Sequence, residues 1–242
     1  MRQSLLHLSL LFMASVMSAQ VGDSSIAEKL LQRYTNTYGG LRDTNRLASI
    51  RIEGVQIQEG QEYAFLMHKK RPSSIRYRLQ QGETVLVAGY NGRDGWLQTT
   101  RDGASTVEAL SGTHLEALRS EAFFEGPLYR HLEKPENTVT FDGVSEVGGL
   151  ASYSFKVVDA DGSVSRYFLD RRDARVQRVD RLDEAGQIRI QTLYRDYQDV
   201  AGYPFAHEVE NRIDGETISL IRIDRVSVNP GLLSLFFKVP AE

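Results

Sequence analysis

Cysteine is absent from this 242-residue chain, which excludes disulfides, thiolate metal sites, a cysteine nucleophile and a lipid anchor carried on an N-terminal cysteine. Proline is sparse at six residues, and tryptophan occurs once. Nor is there a basic excess. Lys and Arg number 29 against 32 Asp and Glu, a formal net charge of −3, so nucleic acid is not expected as a partner. Past residue 16 no apolar run approaches the ~20 residues of a membrane-spanning helix. The local signatures of catalysis are missing too: Gly-x-Ser-x-Gly, Gly-x-Gly-x-x-Gly and the P-loop do not occur. His68, His114, His131 and His207 never fall at His-x-His or His-Glu-x-x-His spacing. No enzyme activity, metal or cofactor is therefore expected. Asp159-x-Asp161-Gly162 echoes a calcium loop without its later carboxylates and reads as a hairpin turn.

The chain does hold 41% hydrophobic residues, enough for a sizeable core in one domain. Residues 1–19 combine Arg2, an apolar run from Leu5 to Val16 and the small pair Ser18-Ala19, the pattern of a secretory signal peptide. A periplasmic mature domain over 20–242 is the expectation. Ser25 and Glu28 form a capping box, and Ile26, Leu30, Leu31, Tyr34 and Tyr38 follow at helical spacing until Gly39-Gly40.

From Ala48 the apolar period changes to two. Ile50 and Ile52 alternate with Arg51 and Glu53, and Ile75, Tyr77 and Leu79 alternate with Arg76, Arg78 and Gln80. Such runs recur to Val228, separated by turn pairs such as Asn91-Gly92 and Asp214-Gly215, and predict about eleven antiparallel strands. The loop Asp102–Thr113 and a helix over His114–Phe124 interrupt them, with Leu115, Leu118 and Ala122 at helical spacing. Asp170, Asp173, Asp180, Asp183 and Glu184 alternate with arginines, the pattern of a solvated, ion-paired hairpin face. A lone sheet of this size would expose edges and apolar surface, so it must curl, with helices over the open side. The inward candidates are Ile52, Phe65, Met67, Ile75, Tyr77, Leu79, Val85, Val87, Trp96, Phe155, Val157, Tyr167, Leu169, Ile190 and Leu193. Each alone reads as ordinary core; together they could line an apolar cavity suited to an acyl chain.

Lys69-Lys70-Arg71-Pro72-Ser73-Ser74-Ile75-Arg76-Tyr77, followed by Tyr90-Asn91-Gly92-Arg93-Asp94-Gly95-Trp96, resembles the Lys-Arg-Pro turn and Asp-Gly segment of LolA-type lipoprotein carriers. Phe124-Glu125-Gly126-Pro127-Leu128, Tyr167-Phe168-Leu169-Asp170 and Gly202-Tyr203-Pro204-Phe205 are similar to the wider lipoprotein-sorting group, which includes LolB and RseB types. The resemblance implies a mainly β fold, a single curved antiparallel sheet forming an unclosed half-barrel of about eleven strands under a helical lid. It further implies a monomeric, non-enzymatic carrier whose partners are lipid or lipoprotein acyl chains, with Arg71 as the lid gate and Leu115, Leu118, Phe123 and Phe124 on the lid. The RseB-type members imply the alternative of an envelope interaction or sensing module with a protein partner.

Overall fold

The computed structural model describes residues 14–38, 46–124, 128–132, 134 and 136–240, with side chains from 25 onward except at 130. Helix α1 (Ala14–Tyr38) leads into six strands, β1 (Ser49–Gln58), β2 (Gln61–Lys70), β3 (Ser74–Gln81), β4 (Thr84–Tyr90), β5 (Gly95–Arg101) and β6 (Ala104–Ala109). Two helices follow, α2 (Gly112–Glu121) and α3 (Tyr129–Leu132). The chain then adds β7 (Thr138–Val147), β8 (Leu150–Val158), β9 (Val164–Asp170), β10 (Val176–Leu182), β11 (Ile188–Val200), β12 (Tyr203–Ile213) and β13 (Glu216–Val228), and ends in a short 3-10 helix, Ser234–Phe237.

Each strand pairs antiparallel with the one before it, except at one junction. β13 returns to pair with β1, which gives a single sheet in the order β6-β5-β4-β3-β2-β1-β13-β12-β11-β10-β9-β8-β7. β6 and β7, consecutive in sequence, therefore stand at opposite edges. The chain joining them must cross the sheet, and α2 and α3 lie on that crossing. Connectivity thus turns the helical insertion into a cover for the concave face.

The sheet is the expected open one, with thirteen strands where about eleven were predicted. β6 is an added strand, formed by residues read as loop. Asp102 and Gly103 both adopt positive φ, the geometry that folds a two-residue hairpin back on itself. A second correction concerns α1, which begins at Ala14, so the Ser25 capping box lies inside the helix. No proline precedes Pro72 to stop that helix, and Gly22 alone costs only about 1 kcal/mol. The expected stop at Gly39-Gly40 and the Glu125-Gly126-Pro127 motif lie outside the described residues, as does most of the predicted leader.

The core sits between the concave face and the helices. From the sheet come Ile50, Ile52, Phe65, Phe155, Val157, Tyr167, Leu169, Val176, Val179 and Val226; from the cover come Tyr34, Tyr38, Phe124, Leu128 and Tyr129. The outer face over β8–β12 is less wet than the alternation of Asp and Arg predicted. Asp180 is fully buried and Asp170 is buried. Arg178 holds Asp180 at 2.9 Å, and its guanidinium lies 3.9 Å above the Phe168 ring. Hydrogen bonds from Arg172 keep the Asp170 carboxyl below the usual range. The ion pairing is as predicted, and so is the solvation at Asp183 and Glu184; it fails at Asp170 and Asp180, where packing and arginine stems enclose the carboxylates.

Candidate functional site

Strand register decides which predicted residues share the concave face. Ile52 pairs with Met67, Met67 with Tyr77 and Phe65 with Leu79, so their side chains form adjoining rows. Ile75 joins Ala88, Tyr90, Leu115 and Leu118 beneath α2. On the other half, Phe155 faces Tyr167 and Tyr153 faces Leu169, with Val157 one step along. Ile190 follows the parity of Thr192 and Tyr194 and so lies on the same face of β11.

Four residues of the predicted lining belong to the outer face instead. Val87 pairs with Arg78 and Gln98, whereas its neighbour Ala88 faces the α2 cluster; Val85 has the parity of Val87. Trp96 pairs with Gly89, where a Cβ would collide with the indole, and donates from Nε1 to the Phe237 carbonyl at 3.3 Å. Glycine is required at 89 by that close approach. Leu193 pairs with Arg178 and Glu210 on the outer face. Apolar side chains here occupy both faces, since the chain's last turn covers Trp96 and arginine stems surround Leu193.

The covering helices are held very differently. α1 is fixed at several points. Arg33 donates to the Arg171 carbonyl at 2.9 Å and to that of Arg172, and Thr37 donates to the Asp173 carbonyl at 2.7 Å. The buried Tyr34 hydroxyl oxygen accepts from the backbone N–H of Leu128 and Tyr129, tying the start of α3 to α1. Tyr197 donates to the Val176 carbonyl, so at the 3.0 Å contact between the hydroxyls Tyr38 is the donor; the Val176 N–H closes the ring onto Tyr38. Burial pushes the Tyr38 hydroxyl up to about 12 and raises Tyr34 as well. α3 is anchored too, through buried His131. Its Nδ1 meets the Asp159 carboxylate at 2.6 Å, and its Nε2 meets the Tyr167 hydroxyl at 2.8 Å.

α2 has far less. Leu118 is its buried residue, Leu115 is partly buried, and no side chain caps its Ser111 start. At its C-terminal end two residues of the Lys-Arg-Pro turn meet it. Lys69 donates to Glu121 at 2.8 Å and to the Phe123 carbonyl at 3.3 Å. Arg71 donates from Nε to the Leu47 carbonyl at 2.8 Å and lays its guanidinium 4.7 Å from the centre of the Phe124 ring. The carbonyl at the lid's end is thus met by Lys69, a residue the sequence reading did not single out. Its parity with Phe65 and Met67 was the available signal, because it places a cation on an otherwise apolar inward row. Phe124 is buried, while Phe123 is 40% exposed.

Among the described residues, side chains of α1, α2 and α3 pack against the concave face. Clefts of about 380 and 460 Å3 lie at the outer turn between β9 and β10, lined among others by Leu150, Asp170 and Arg172. Among the described residues no cluster of three or more metal-ligating side chains occurs.

By sequence, no family model and no curated protein matches the chain. By structure, a DUF1329 family protein from Desulfovibrio piger superposes with a TM-score of 0.62 at 12% identity, covering 86% of this chain and 97% of that one. A domain named for outer membrane lipoprotein sorting, from Vibrio parahaemolyticus, gives 0.59 at 11% identity over 86% and 94%. A LolA superfamily protein from Nitrosomonas europaea gives 0.57 at 9% identity over 86% and 96%. An open antiparallel sheet crossed on its concave side by the helices that join its two edges is the LolA-like fold, and this chain has it.

Proposed function

We propose that this chain is a periplasmic, non-enzymatic binding protein that takes acyl chains of lipids or lipoproteins against the concave face when α2 swings aside. The carrying observation is the unequal hold on the two helices. α1 is fixed by Arg33, Tyr34, Thr37 and Tyr38, whereas α2 rests on Leu115, Leu118 and its end contacts with Lys69 and Arg71. Full burial of a leucine is worth about 1.5–3 kcal/mol, so Leu118 and the partly buried Leu115 set a cost of several kcal/mol for lifting α2. An acyl chain of about 16 carbons, at ~0.8 kcal/mol per buried methylene, gains on the order of 12 kcal/mol. The exchange favours ligand over lid, and the face exposed by the exchange is apolar. The leader read at residues 1–19 supports the compartment, and the fold shared with the lipoprotein-sorting domain supports the ligand class.

Displacement of a fluorescent fatty acid, together with native mass spectrometry of protein recovered from the periplasm, tests this. Bound acyl chains are expected in both. The pair Lys69→Met and Arg71→Leu removes the polar hold on the lid, and association of the probe should quicken about fivefold to tenfold as the open form becomes more populated. Unchanged rates in that variant, with intact folding, would refute the latch; absence of probe binding would refute the function.

A further inference from the structure

The last stretch of the chain lies on the outer face at the same end of the half-barrel as the Lys-Arg-Pro turn. Lys70 donates to the Leu232 carbonyl at 2.6 Å, and Phe236 packs edge-on to His68 beneath the Arg76 guanidinium. Phe237 is buried, and its carbonyl accepts from Trp96. Burial, with Arg51 and Arg76 close by, pushes His68 down to about 4, so this support stays neutral at physiological pH. The segment is therefore firmly seated. Its other side chains are nevertheless presented to solvent: Leu233 is 73% exposed, Leu235 68% and Val239 45%.

The surrounding turns are basic. Asn229 ties Arg46 and Ala48 to the end of β13, and Gly92 of the β4–β5 turn approaches Ser73 of the β2–β3 turn. These junctions bring Arg46, Lys70, Arg71, Arg93 and Lys238 to this end of the sheet, with Arg93 3.6 Å from Asp94 and Lys69 turned inward onto Glu121. At this end the named cations outnumber the two carboxylates, although the chain as a whole carries −3.

We propose that this end is a membrane-docking surface, with Leu233, Leu235 and Val239 entering the headgroup boundary of an anionic bilayer while the cations around them meet its phosphates. Exposed apolar side chains in a short segment, with Phe236 38% exposed beside them and cations at the adjoining turns, match the depth and charge profile of a lipid interface. The rigid seating of Phe236 and Phe237 means that insertion orders little new chain. Docked this way, the half-barrel presents the lid end, with Phe123 and Arg71, at the same end as the bilayer.

Vesicle flotation of the chain recovered from the periplasm tests the surface, independently of the fatty-acid probe. Binding is expected to phosphatidylglycerol-containing vesicles at about 0.1 M salt and to weaken sharply on vesicles of phosphatidylcholine alone. Leu233→Ser with Leu235→Ser should weaken binding at least about tenfold, since both lose buried methylenes at the interface. Arg93→Glu with Lys238→Glu should weaken it about thirtyfold or more, at roughly a factor of five per neutralised cation. The solvent-exposed positions leave folding intact, and the emission of Trp96 beneath the segment serves as the control. Absence of flotation with either vesicle, equal binding to both, or undiminished binding of either variant would each overturn the proposal. So would capture of an envelope protein through these residues by a chain that ignores vesicles.

Discussion

Phe155→Ala is expected to lower the unfolding free energy by about 3–5 kcal/mol, the range for truncating a buried phenylalanine. Phe155 is fully buried on the floor of the concave face, 5.5 Å from Phe141 by ring centroids and directly opposite Tyr167 across the strand pair. The cover above it cannot collapse into the space, because α1 is fixed to the β9–β10 turn and α3 to Tyr34 and, through its own His131, to Asp159 and Tyr167. The cavity should therefore persist, placing the loss at the upper part of that range. In thermal unfolding this corresponds to a Tm lower by roughly 6–20 °C for a chain of this length. The space left is apolar and adjoins the face assigned to acyl chains, so a saturated fatty acid should raise the Tm of the variant by more than it raises that of the parent. A Tm within 2 °C of the parent would remove Phe155 from the core, and an equal response to fatty acid would place the ligand elsewhere.

The residues whose face could be read from sequence are those on strands with one apolar side. β1 and β3 alternate cleanly at Ile50-Ile52 and Ile75-Tyr77-Leu79, and each residue faces the helices as its period requires. β4 contains Val85, Leu86, Val87 and Ala88 in succession, so its period is silent about which side faces in. What decides it is the 3-10 helix Ser234–Phe237, more than a hundred residues later, whose Phe237 covers Trp96 and the outer side. Leu193 was misplaced for a related reason: its environment is built by Arg178 and Glu210 on neighbouring strands. β6 carried a local signal, Asp102-Gly103, of the same kind as Asp214-Gly215. The crossing of α2 over the concave side follows from the β13–β1 pairing, a contact between distant segments that no local pattern encodes.

Glu210→Gln should be a damaging polar change on the outer face, at about 2–3 kcal/mol near neutral pH. A fully buried ion pair broken on one side loses about 3–5 kcal/mol, and the part exposure of Arg195 and Arg212 reduces that here. Glu210 is buried and accepts from Arg195 at 2.7 Å, from Arg212 at 2.6 Å and from the Thr217 hydroxyl. Burial alone would raise its pKa; the donors of Arg212, Thr217 and Arg195 outweigh it and hold the carboxyl at about 2 against an ordinary 4.5. A carboxyl depressed on folding stabilises the folded state fully above its unfolded pKa, and that contribution is lost as pH falls from about 4.5 through about 2. The parent should therefore lose stability across that window. The Gln variant, already missing the contribution, should show a shallower slope there. His68 acts in a separate window. Its pKa falls from 6.5 to about 4 on folding, so its contribution is present above 6.5 and drains away as pH drops to about 4, unchanged by the substitution at 210. Denaturant midpoints measured from pH 7 to pH 2 should thus converge between parent and Glu210→Gln only below about 4.5. Parallel curves through that interval would show that the three donors do not depress the Glu210 carboxyl.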